Sequence, residues 1–279
     1  MKNFNLIELA KEKLIICAHR GVWGGNIPCN VALSYDIAVA QGADMVELDV
    51  TASADGELFV FHPGQESRQL NISDIDIRKM PAEEVKKLRL ANLDGKVTEH
   101  PVWLFEDMLE HLKGKCFINV DKFGDNPERI IRAIKRHDMA EQIVVKSAVK
   151  DELLDMIETY APDLQYLGII DKDVENHDKL MSRKLNYVGL EVVFADDSAP
   201  IASEEFRERL HRDGKLVWGN SILFSYRKRL AADHSDDVAL AGDPDKGWGW
   251  FAENHFDIIQ TDWPLALSLY LEQKGLRYR

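Results

Sequence analysis

The sequence lacks the long apolar runs of a membrane protein and contains few cysteines. No uninterrupted apolar stretch approaches the ~18 residues that cross a bilayer. The start of the chain, Met1 to Lys13, mixes Lys, Glu and Asn with short apolar stretches, so we expect no secretory signal. Cys17, Cys29 and Cys116 are odd in number and lack metal-ligand spacing. These absences predict a cytoplasmic protein with buried, reduced thiols and no stable membrane insertion.

Positive charge is also scarce. The chain has 35 Lys and Arg residues against 48 Asp and Glu residues, which gives a formal net charge of −13. Such a surface repels the phosphates of nucleic acids, so we expect no nucleic-acid partner. An anionic small-molecule substrate is compatible with this charge only if the site concentrates positive charge through a metal ion and a few Lys or Arg side chains.

Apolar runs alternate with amphipathic stretches along the chain. Eight runs predict strands: Leu14–Ala18, Met45–Val50, Cys116–Asp121, Ile143–Lys146, Leu164–Ile169, Tyr187–Val192, Leu216–Gly219 and Asp257–Thr261. Five segments between or after them predict helices: Val31–Gln41, Glu128–His137, Asp151–Tyr160, Ser203–Asp213 and Leu265–Lys274. This order implies a parallel sheet, and we expect an α/β protein with one (β/α)₈ TIM-barrel domain over residues 1–279.

Two segments depart from this alternation. Residues 63–103 are polar and charged, and they predict a small insertion after the second barrel strand, over the barrel mouth. Residues 233–250 are rich in Asp and Gly, and they predict a long loop or a short helix on the same face. We expect His234, Asp236 and Asp237 in this second segment to be solvated loop residues.

Acidic residues and histidines occur where the first predicted strands end. Glu47 and Asp49 are two residues apart in a strand, so both carboxylates point to the same side. With Asp121 they offer three oxygen ligands, which suit Ca²⁺ or Mg²⁺. His19 and His62 lie at neighbouring strand ends of the same predicted rim, where barrel enzymes keep their active sites. Loop or helix-capping roles are the alternative for any single residue.

These residues belong to a longer motif that resembles the glycerophosphodiester phosphodiesterase family. The family pattern runs His-Arg-Gly, Pro-Glu-Asn-Thr, Gly-Ala-Asp, Glu-x-Asp, Asp-Gly and His-Asp. In this chain the corresponding residues are His19-Arg20-Gly21, Pro28-Cys29-Asn30-Val31, Gly42-Ala43-Asp44, Glu47-Leu48-Asp49, Asp55-Gly56 and His62-Pro63. Near the other end of the chain, Thr261-Asp262-Trp263-Pro264 resembles the Thr-Asp-x-Pro that closes the family barrel.

The resemblance implies an enzyme that hydrolyses small glycerophosphodiesters, such as glycerophosphocholine or glycerophosphoethanolamine, to sn-glycerol 3-phosphate and an alcohol. It implies a divalent metal ion as cofactor. It also casts His19 and His62 as general acid and general base, without deciding which is which. In the implied reaction the glycerol 2-hydroxyl attacks phosphorus, and water then opens the resulting cyclic phosphate.

Other polar or aromatic residues at the predicted rim are further site candidates, most of them with two possible roles. Arg20 is suited to hold a phosphate oxygen with its forked donors, and Lys122 to oppose transition-state charge, while ordinary ion pairs are the alternative for both. Glu191 is a candidate contact for a glycerol hydroxyl or the metal. Trp218 either packs against the glycerol carbons or lies in the core. Asp262 is expected to cap the last helix.

Three departures from the family pattern affect these expectations. Cys29 replaces the usual Glu, and Pro63 replaces the usual Asp beside the histidine; we expect Glu66 to orient the imidazole in its place. The family's third ligand is a Glu separated from its Lys by one residue, whereas Asp121 and Lys122 are adjacent. Either the strand is irregular here or the third ligand lies one position away.

Two further functions fit the same motif. One is a phospholipase D-like or lysophospholipase D-like hydrolase acting on a bulkier lipid, which an exposed apolar rim on the insertion would favour. The other is a catalytically silent protein that binds glycerophosphodiesters but lost efficient proton transfer through Cys29 and Pro63.

Overall fold

Eight parallel strands close into a barrel in the computed structural model, which describes residues 4–223 and 228–279. The described strands are β1 (Ile15–His19), β2 (Met45–Ala52), β3 (Leu58–Val60), β4 (Arg89–Ala91), β5 (Val97–Pro101), β6 (Trp103–Leu104), β7 (Phe117–Asp121), β8 (Ile143–Ala148), β9 (Gln165–Ile170), β10 (Tyr187–Val192), β11 (Leu216–Asn220) and β12 (Ile258–Thr261). The barrel consists of β1, β2 and β7 to β12, and it closes because β1 pairs with both β2 and β12. The predicted (β/α)₈ fold is confirmed.

The structure describes twelve α-helices, most of which follow barrel strands and cover the outside of the barrel. They are α1 (Leu6–Glu12), α2 (Ala32–Ala40), α3 (Glu66–Gln69), α4 (Ala82–Val85), α5 (Phe105–Leu112), α6 (Pro127–Arg136), α7 (Asp151–Tyr160), α8 (Asn176–Met181), α9 (Glu204–Arg212), α10 (Asp236–Leu240), α11 (Trp250–Glu253) and α12 (Pro264–Gln273). In α6, Pro127 occupies the first turn, where its missing N–H costs no hydrogen bond, and Ile130 and Ile134 are buried on one face. None of the described helices is both long enough and apolar enough to cross a membrane.

The barrel interior is apolar at the N-terminal end of the strands and polar at the C-terminal end. Inward-pointing side chains such as Ile15, Met45 and Ile258 form a buried cluster with Leu6 of α1. Because side chains alternate along a strand, the next inward positions on β2 are Glu47 and Asp49. The apolar layer therefore supports a polar layer at the C-terminal end of the barrel, where TIM-barrel enzymes have their active sites.

The segment between β2 and β7 forms a small extension beside the barrel mouth. The last residues of β2 pair antiparallel with β3, which in turn pairs with β6. Residues 63–103 contain α3, α4, a short 3₁₀ turn and the hairpin of β4 and β5. Phe61, Leu70 and Val102 belong to a separate buried cluster that holds this extension together.

Candidate active site

Three carboxylates converge at the C-terminal end of the barrel. Glu47 and Asp49 lie on β2, and Asp121 ends β7, the neighbouring strand, directly opposite Asp49 in the register. One oxygen from each residue lies within 4.8 Å of the others. Glu47 and Asp49 are buried, with 1% and 0% of their surface exposed. The structure thus brings together the three residues that the sequence predicted as metal ligands, although their role stays a prediction.

The electrostatics of this cluster fit an added cation. Burial and the neighbouring Asp49 raise the pKa of Glu47 to about 7. Burial works against ionisation of Asp121 as well, but the Lys146 and Lys122 ammonium groups outweigh it and lower the pKa of that carboxyl. Asp49 Oδ1 is buried and accepts no hydrogen bond from any described residue. A hard divalent cation would satisfy this oxygen and relieve the repulsion between the carboxylates.

The second oxygen of Asp49 is held by two side chains from the loop after β1. Arg20 Nε lies 2.9 Å and Asn30 Nδ2 lies 3.0 Å from Asp49 Oδ2. Arg20 and Asn30 have φ values of 59° and 60°, a left-handed conformation that is uncommon outside glycine. Tyr35 donates a 2.7 Å hydrogen bond to Asn30 Oδ1. We did not single out Asn30 from the sequence, although it lies within the Pro-Cys-Asn-Val part of the motif.

The backbone conformation of Lys122 explains how adjacent Asp and Lys residues can both face the site. Strand β7 runs regularly through Asp121, and Lys122 then adopts a left-handed conformation with φ 58°. This turn returns its side chain to the cluster, with Nζ 2.5 Å from Asp121 Oδ2 and 3.8 Å from Asp49 Oδ1. Of the two alternatives raised by the sequence, the irregularity therefore lies at the strand end, and Asp121 keeps its place among the carboxylates.

His19 is oriented by an acidic residue that the sequence analysis assigned elsewhere. Its Nδ1 lies 2.8 Å from Asp262 Oδ1. Burial acts to lower the pKa of His19, but the hydrogen bond to Asp262 and the charge of that carboxylate outweigh burial, so the pKa is raised. The expectation that Asp262 caps α12 is wrong, because the residue before the helix is Trp263 and no side-chain cap is present. The signal for this pair is the closure of the barrel, which makes β12 a neighbour of β1.

His62 reaches the site by a different route from the one predicted. It follows β3, which pairs antiparallel with β2 and not with β1, so the strands that carry the two histidines are not neighbours. His62 Nδ1 lies 2.9 Å from the Pro63 carbonyl oxygen, and Nε2 lies 3.9 Å from Asp49 Oδ1. Burial lowers the pKa of His62, and the charges of Arg20 and Lys122 add to this effect.

Glu66 does not orient this imidazole. Its Oε1 accepts a 3.3 Å hydrogen bond from the Ile77 backbone N–H, and the side chain is buried in the extension. The carbonyl of Pro63 instead fixes His62, which leaves Nε2 directed toward the carboxylates. The expected replacement of the family Asp by Glu66 is therefore wrong.

Glu191 and Trp218 belong to a buried network in the barrel interior. Glu191 Oε2 lies 2.9 Å from Lys146 Nζ, and Glu191 Oε1 accepts a 2.8 Å hydrogen bond from Asn220. Trp218 is fully buried and donates to Asn220 Oδ1 at 3.1 Å. The structure favours the core alternative for Trp218. Neither residue forms a hydrogen bond or ion pair with the three carboxylates within the described ranges, and the predicted contacts of Glu191 and Trp218 with substrate stay predictions.

The segment after β11 contains a buried acid, Asp236, that was expected to be solvated. Asp236 accepts hydrogen bonds from the Ser221 hydroxyl, the Trp248 indole, the Thr261 hydroxyl and the Asp262 backbone N–H. Burial raises its pKa to about 6. His234 is also buried, so the expectation of solvated loop residues is wrong for both and fits only the exposed Asp237. Because Asp236 accepts a hydrogen bond from the Asp262 backbone, this network fixes the position of Asp262, which contacts His19.

Comparison with known proteins finds relatives that each match about half of this chain. An uncharacterized protein, YqiK, of Bacillus subtilis is 28% identical over 146 residues, which are 50% of this chain and 59% of the relative. A glycerophosphodiester phosphodiesterase of Caldanaerobacter subterraneus is 29% identical over 166 residues, 57% of this chain and 67% of the relative. A family described as a domain of unknown function, DUF4996, matches residues 166–271.

Solved structures resemble this chain over nearly its full length. A glycerophosphoryl diester phosphodiesterase from Parabacteroides distasonis has a TM-score of 0.79 at 16% identity, covering 98% of this chain and 93% of its own. A phosphodiesterase from Oleispira antarctica, solved in complex with the product sn-glycerol-3-phosphate, has a TM-score of 0.69 at 18% identity, covering 93% and 97%. Identities this low establish a shared fold. With the sequence relatives, they confirm the family resemblance inferred from the motif.

Proposed function

We propose that this chain, which resembles the glycerophosphodiester phosphodiesterase family in sequence and fold, hydrolyses glycerophosphodiesters to sn-glycerol 3-phosphate and an alcohol. One observation carries the proposal: Glu47, Asp49 and Asp121 converge within 4.8 Å at the barrel mouth, and His62 Nε2 lies 3.9 Å from Asp49. The name of the Caldanaerobacter relative and the product bound to the Oleispira phosphodiesterase support it. We further propose that the protein acts in the cytoplasm.

The three carboxylates would hold a Ca²⁺ or Mg²⁺ ion. All of their ligand atoms are oxygens, which both ions prefer, and Asp49 Oδ1 lacks a hydrogen-bond partner among the described residues. When bound, such an ion supplies positive charge that stabilises the negative charge developing on the phosphate oxygens.

The two cationic side chains beside the carboxylates would position the phosphodiester. The Arg20 side chain lines the open side of the site, and its guanidinium offers further N–H donors besides the Nε that contacts Asp49. Lys122 Nζ lies between Asp121 and Asp49, where its charge opposes the charge that builds up in the transition state. In this proposal each of the two residues forms an ion pair and also binds phosphate, so both interpretations from the sequence hold at once.

Opposite pKa shifts assign the roles of the histidines in this proposal. The lowered pKa of His62 favours its neutral imidazole, whose Nε2 would accept the proton of the glycerol 2-hydroxyl. The raised pKa of His19 favours its protonated form, which would donate a proton to the departing alcohol oxygen. The 2-hydroxyl oxygen bonds to phosphorus as the P–O bond to the alcohol breaks. Water then opens the cyclic phosphate with the two roles reversed.

A second candidate function is supported by exposed apolar side chains on the extension. Ile72, Leu93 and Val97 are large, exposed hydrophobic residues within residues 63–103. Such a rim would favour a lysophospholipid substrate that is presented in a micelle or at a bilayer surface. Comparing hydrolysis of a lysophospholipid with that of the matching deacylated diester separates the two functions, since the proposed function predicts faster cleavage of the deacylated compound.

Release of glycerol 3-phosphate from purified protein tests the proposal. With Ca²⁺ or Mg²⁺ present, we expect product from at least one glycerophosphodiester, and chelation or His19→Ala should abolish it. His255→Ala, at an exposed histidine between α11 and β12, is the matched control and should keep wild-type activity. Calorimetric binding of a diester without any product would instead select the silent binding protein.

A further inference from the structure

A cavity of about 360 Å³ opens beside the candidate active site. It lies between the loop after β1 and the extension of residues 63–103. Its lining includes Arg20, Trp23 and Cys29 from the loop, and Arg68 and Gln69 from α3. The cavity is therefore built partly from the motif and partly from the extension that departs from a plain barrel.

The cavity adjoins the carboxylate cluster through Arg20 and the segment of Cys29 and Asn30. Arg20 lines it while Arg20 Nε contacts Asp49 at 2.9 Å. Cys29 also lines it and directly precedes Asn30, whose amide contacts Asp49 Oδ2 at 3.0 Å. A substituent on a phosphate held by Arg20 can therefore extend into this space without crossing the barrel mouth.

Arg68 carries the positive charge of the lining that is not already paired. Arg20 is paired with Asp49, and the single carboxylate among the described lining residues, that of Asp94, is exposed. The Arg68 guanidinium lies over the Trp23 ring, 5.5 Å from its centroid, and forms no ion pair with any described residue. A cationic ligand at the face of the Trp23 ring would therefore be repelled by the Arg68 guanidinium, which already occupies that face.

Cys29 removes the carboxylate that the family pattern places at this position. The residue is buried, and burial raises the pKa of its thiol to about 12, so the side chain is neutral at physiological pH. Gln69 also lines the cavity, and its Oε1 has no hydrogen-bond partner among the described residues. The lining thus offers amide and guanidinium groups for oxygen-rich ligands and no buried negative charge for a cation.

We propose that this cavity receives the alcohol portion of the phosphodiester, and that it selects a hydroxyl-rich alcohol, uncharged or anionic, over a quaternary-ammonium alcohol. This inference rests on the proposed function and narrows its substrate class. Arg68 is the selecting residue, acting on the alcohol and not on the reacting phosphate. Its loss should therefore change KM for the preferred substrate and leave kcat nearly unchanged.

Steady-state kinetics with glycerophosphoinositol and glycerophosphocholine test this selection. We expect kcat/KM to be about tenfold higher for the inositol diester, the effect of one charge-assisted hydrogen bond. Arg68→Gln should remove most of this preference through KM. Arg132→Gln, at an exposed arginine on α6 that faces Glu128, is the matched control and should keep it. Cys29→Glu should raise kcat/KM for the choline diester, with circular dichroism checking that this buried substitution still folds.

The outcomes separate the inference from the function on which it rests. Hydrolysis of both diesters with equal or better use of the choline compound would overturn the inference and leave the phosphodiesterase proposal standing. Equal effects of Arg68→Gln and Arg132→Gln would also overturn it. Failure of every diester with every divalent metal ion would overturn the proposed function and the inference together.

Discussion

Asp262→Asn is the perturbation that most sharply tests how His19 is prepared for catalysis. In the structure the Asp262 carboxylate lies 2.8 Å from His19 Nδ1 and outweighs the effect of burial on the pKa of that imidazole. The negative charge favours the protonated histidine, so its removal should lower the pKa of His19. The asparagine oxygen can still accept a hydrogen bond, so the ring should keep its orientation.

The size of the effect follows from exchanging a hydrogen bond to a charged group for one to a neutral amide. The first kind contributes ~1.5–3 kcal/mol and the second ~0.5–1.5 kcal/mol, so the exchange costs about 1–1.5 kcal/mol, a decrease of about 5- to 13-fold in kcat/KM. The account also predicts which part of the pH profile moves. Because His19 must be protonated and His62 neutral, the alkaline limb should shift to lower pH while the acid limb stays in place.

The assay is the pH dependence of kcat/KM for glycerol 3-phosphate release, with the histidine ring signals followed by NMR. Asp245→Asn is the matched control, because Asp245 is an exposed carboxylate that pairs with Lys274 away from the site. An alkaline limb that stays where it is, or moves to higher pH, would refute the assignment of His19 as the acid that Asp262 supports.

Three further substitutions test the remaining parts of the site. Glu47 has a pKa raised from 4.5 to about 7, so its ionisation destabilises the metal-free protein increasingly as pH rises through that window. Glu47→Gln should raise the unfolding free energy of the metal-free protein at pH 8 by up to about 3 kcal/mol, and it should abolish thermal stabilisation by Ca²⁺. A lower unfolding free energy in the variant would contradict this. Lys122→Gly should lower the thermal midpoint of the metal-free protein, because it removes the ammonium group beside the carboxylates of Asp121 and Asp49, and it should lower kcat/KM about 100-fold; full activity would exclude a role for the amine. Glu66→Gln should leave kcat/KM nearly unchanged because Glu66 contacts the Ile77 backbone, and a large loss would restore its role beside His62.

The barrel and the carboxylate pair were predictable because both follow from periodicity within short segments. Apolar runs separated by amphipathic stretches define the eight barrel strands to within two residues, and the spacing of Glu47 and Asp49 within one strand fixes their common orientation. The rule that parallel strands end at one rim then placed Asp121 near them. The thiols of Cys17, Cys29 and Cys116 are buried and form no disulfide among the described residues, in line with the prediction of buried, reduced thiols.

The features that the sequence analysis missed depend on contacts between distant segments or on unusual backbone angles. His19 and Asp262 are 243 residues apart and meet only because the barrel closes. The burial of Asp236 requires donors from Ser221 just after β11, from Thr261 of β12 and from Trp248. The return of Lys122 toward Asp121 depends on a left-handed φ, which no pattern of hydrophobic residues encodes.

Diffraction from a crystal grown with Mn²⁺ and sn-glycerol 3-phosphate tests most directly whether one cation and one phosphate meet at the three carboxylates. The account predicts a single anomalous peak at bonding distance from oxygens of Glu47, Asp49 and Asp121, with a phosphate oxygen completing its coordination and Arg20 and Lys122 facing the phosphate. A peak elsewhere, or phosphate bound away from these residues, would contradict the account.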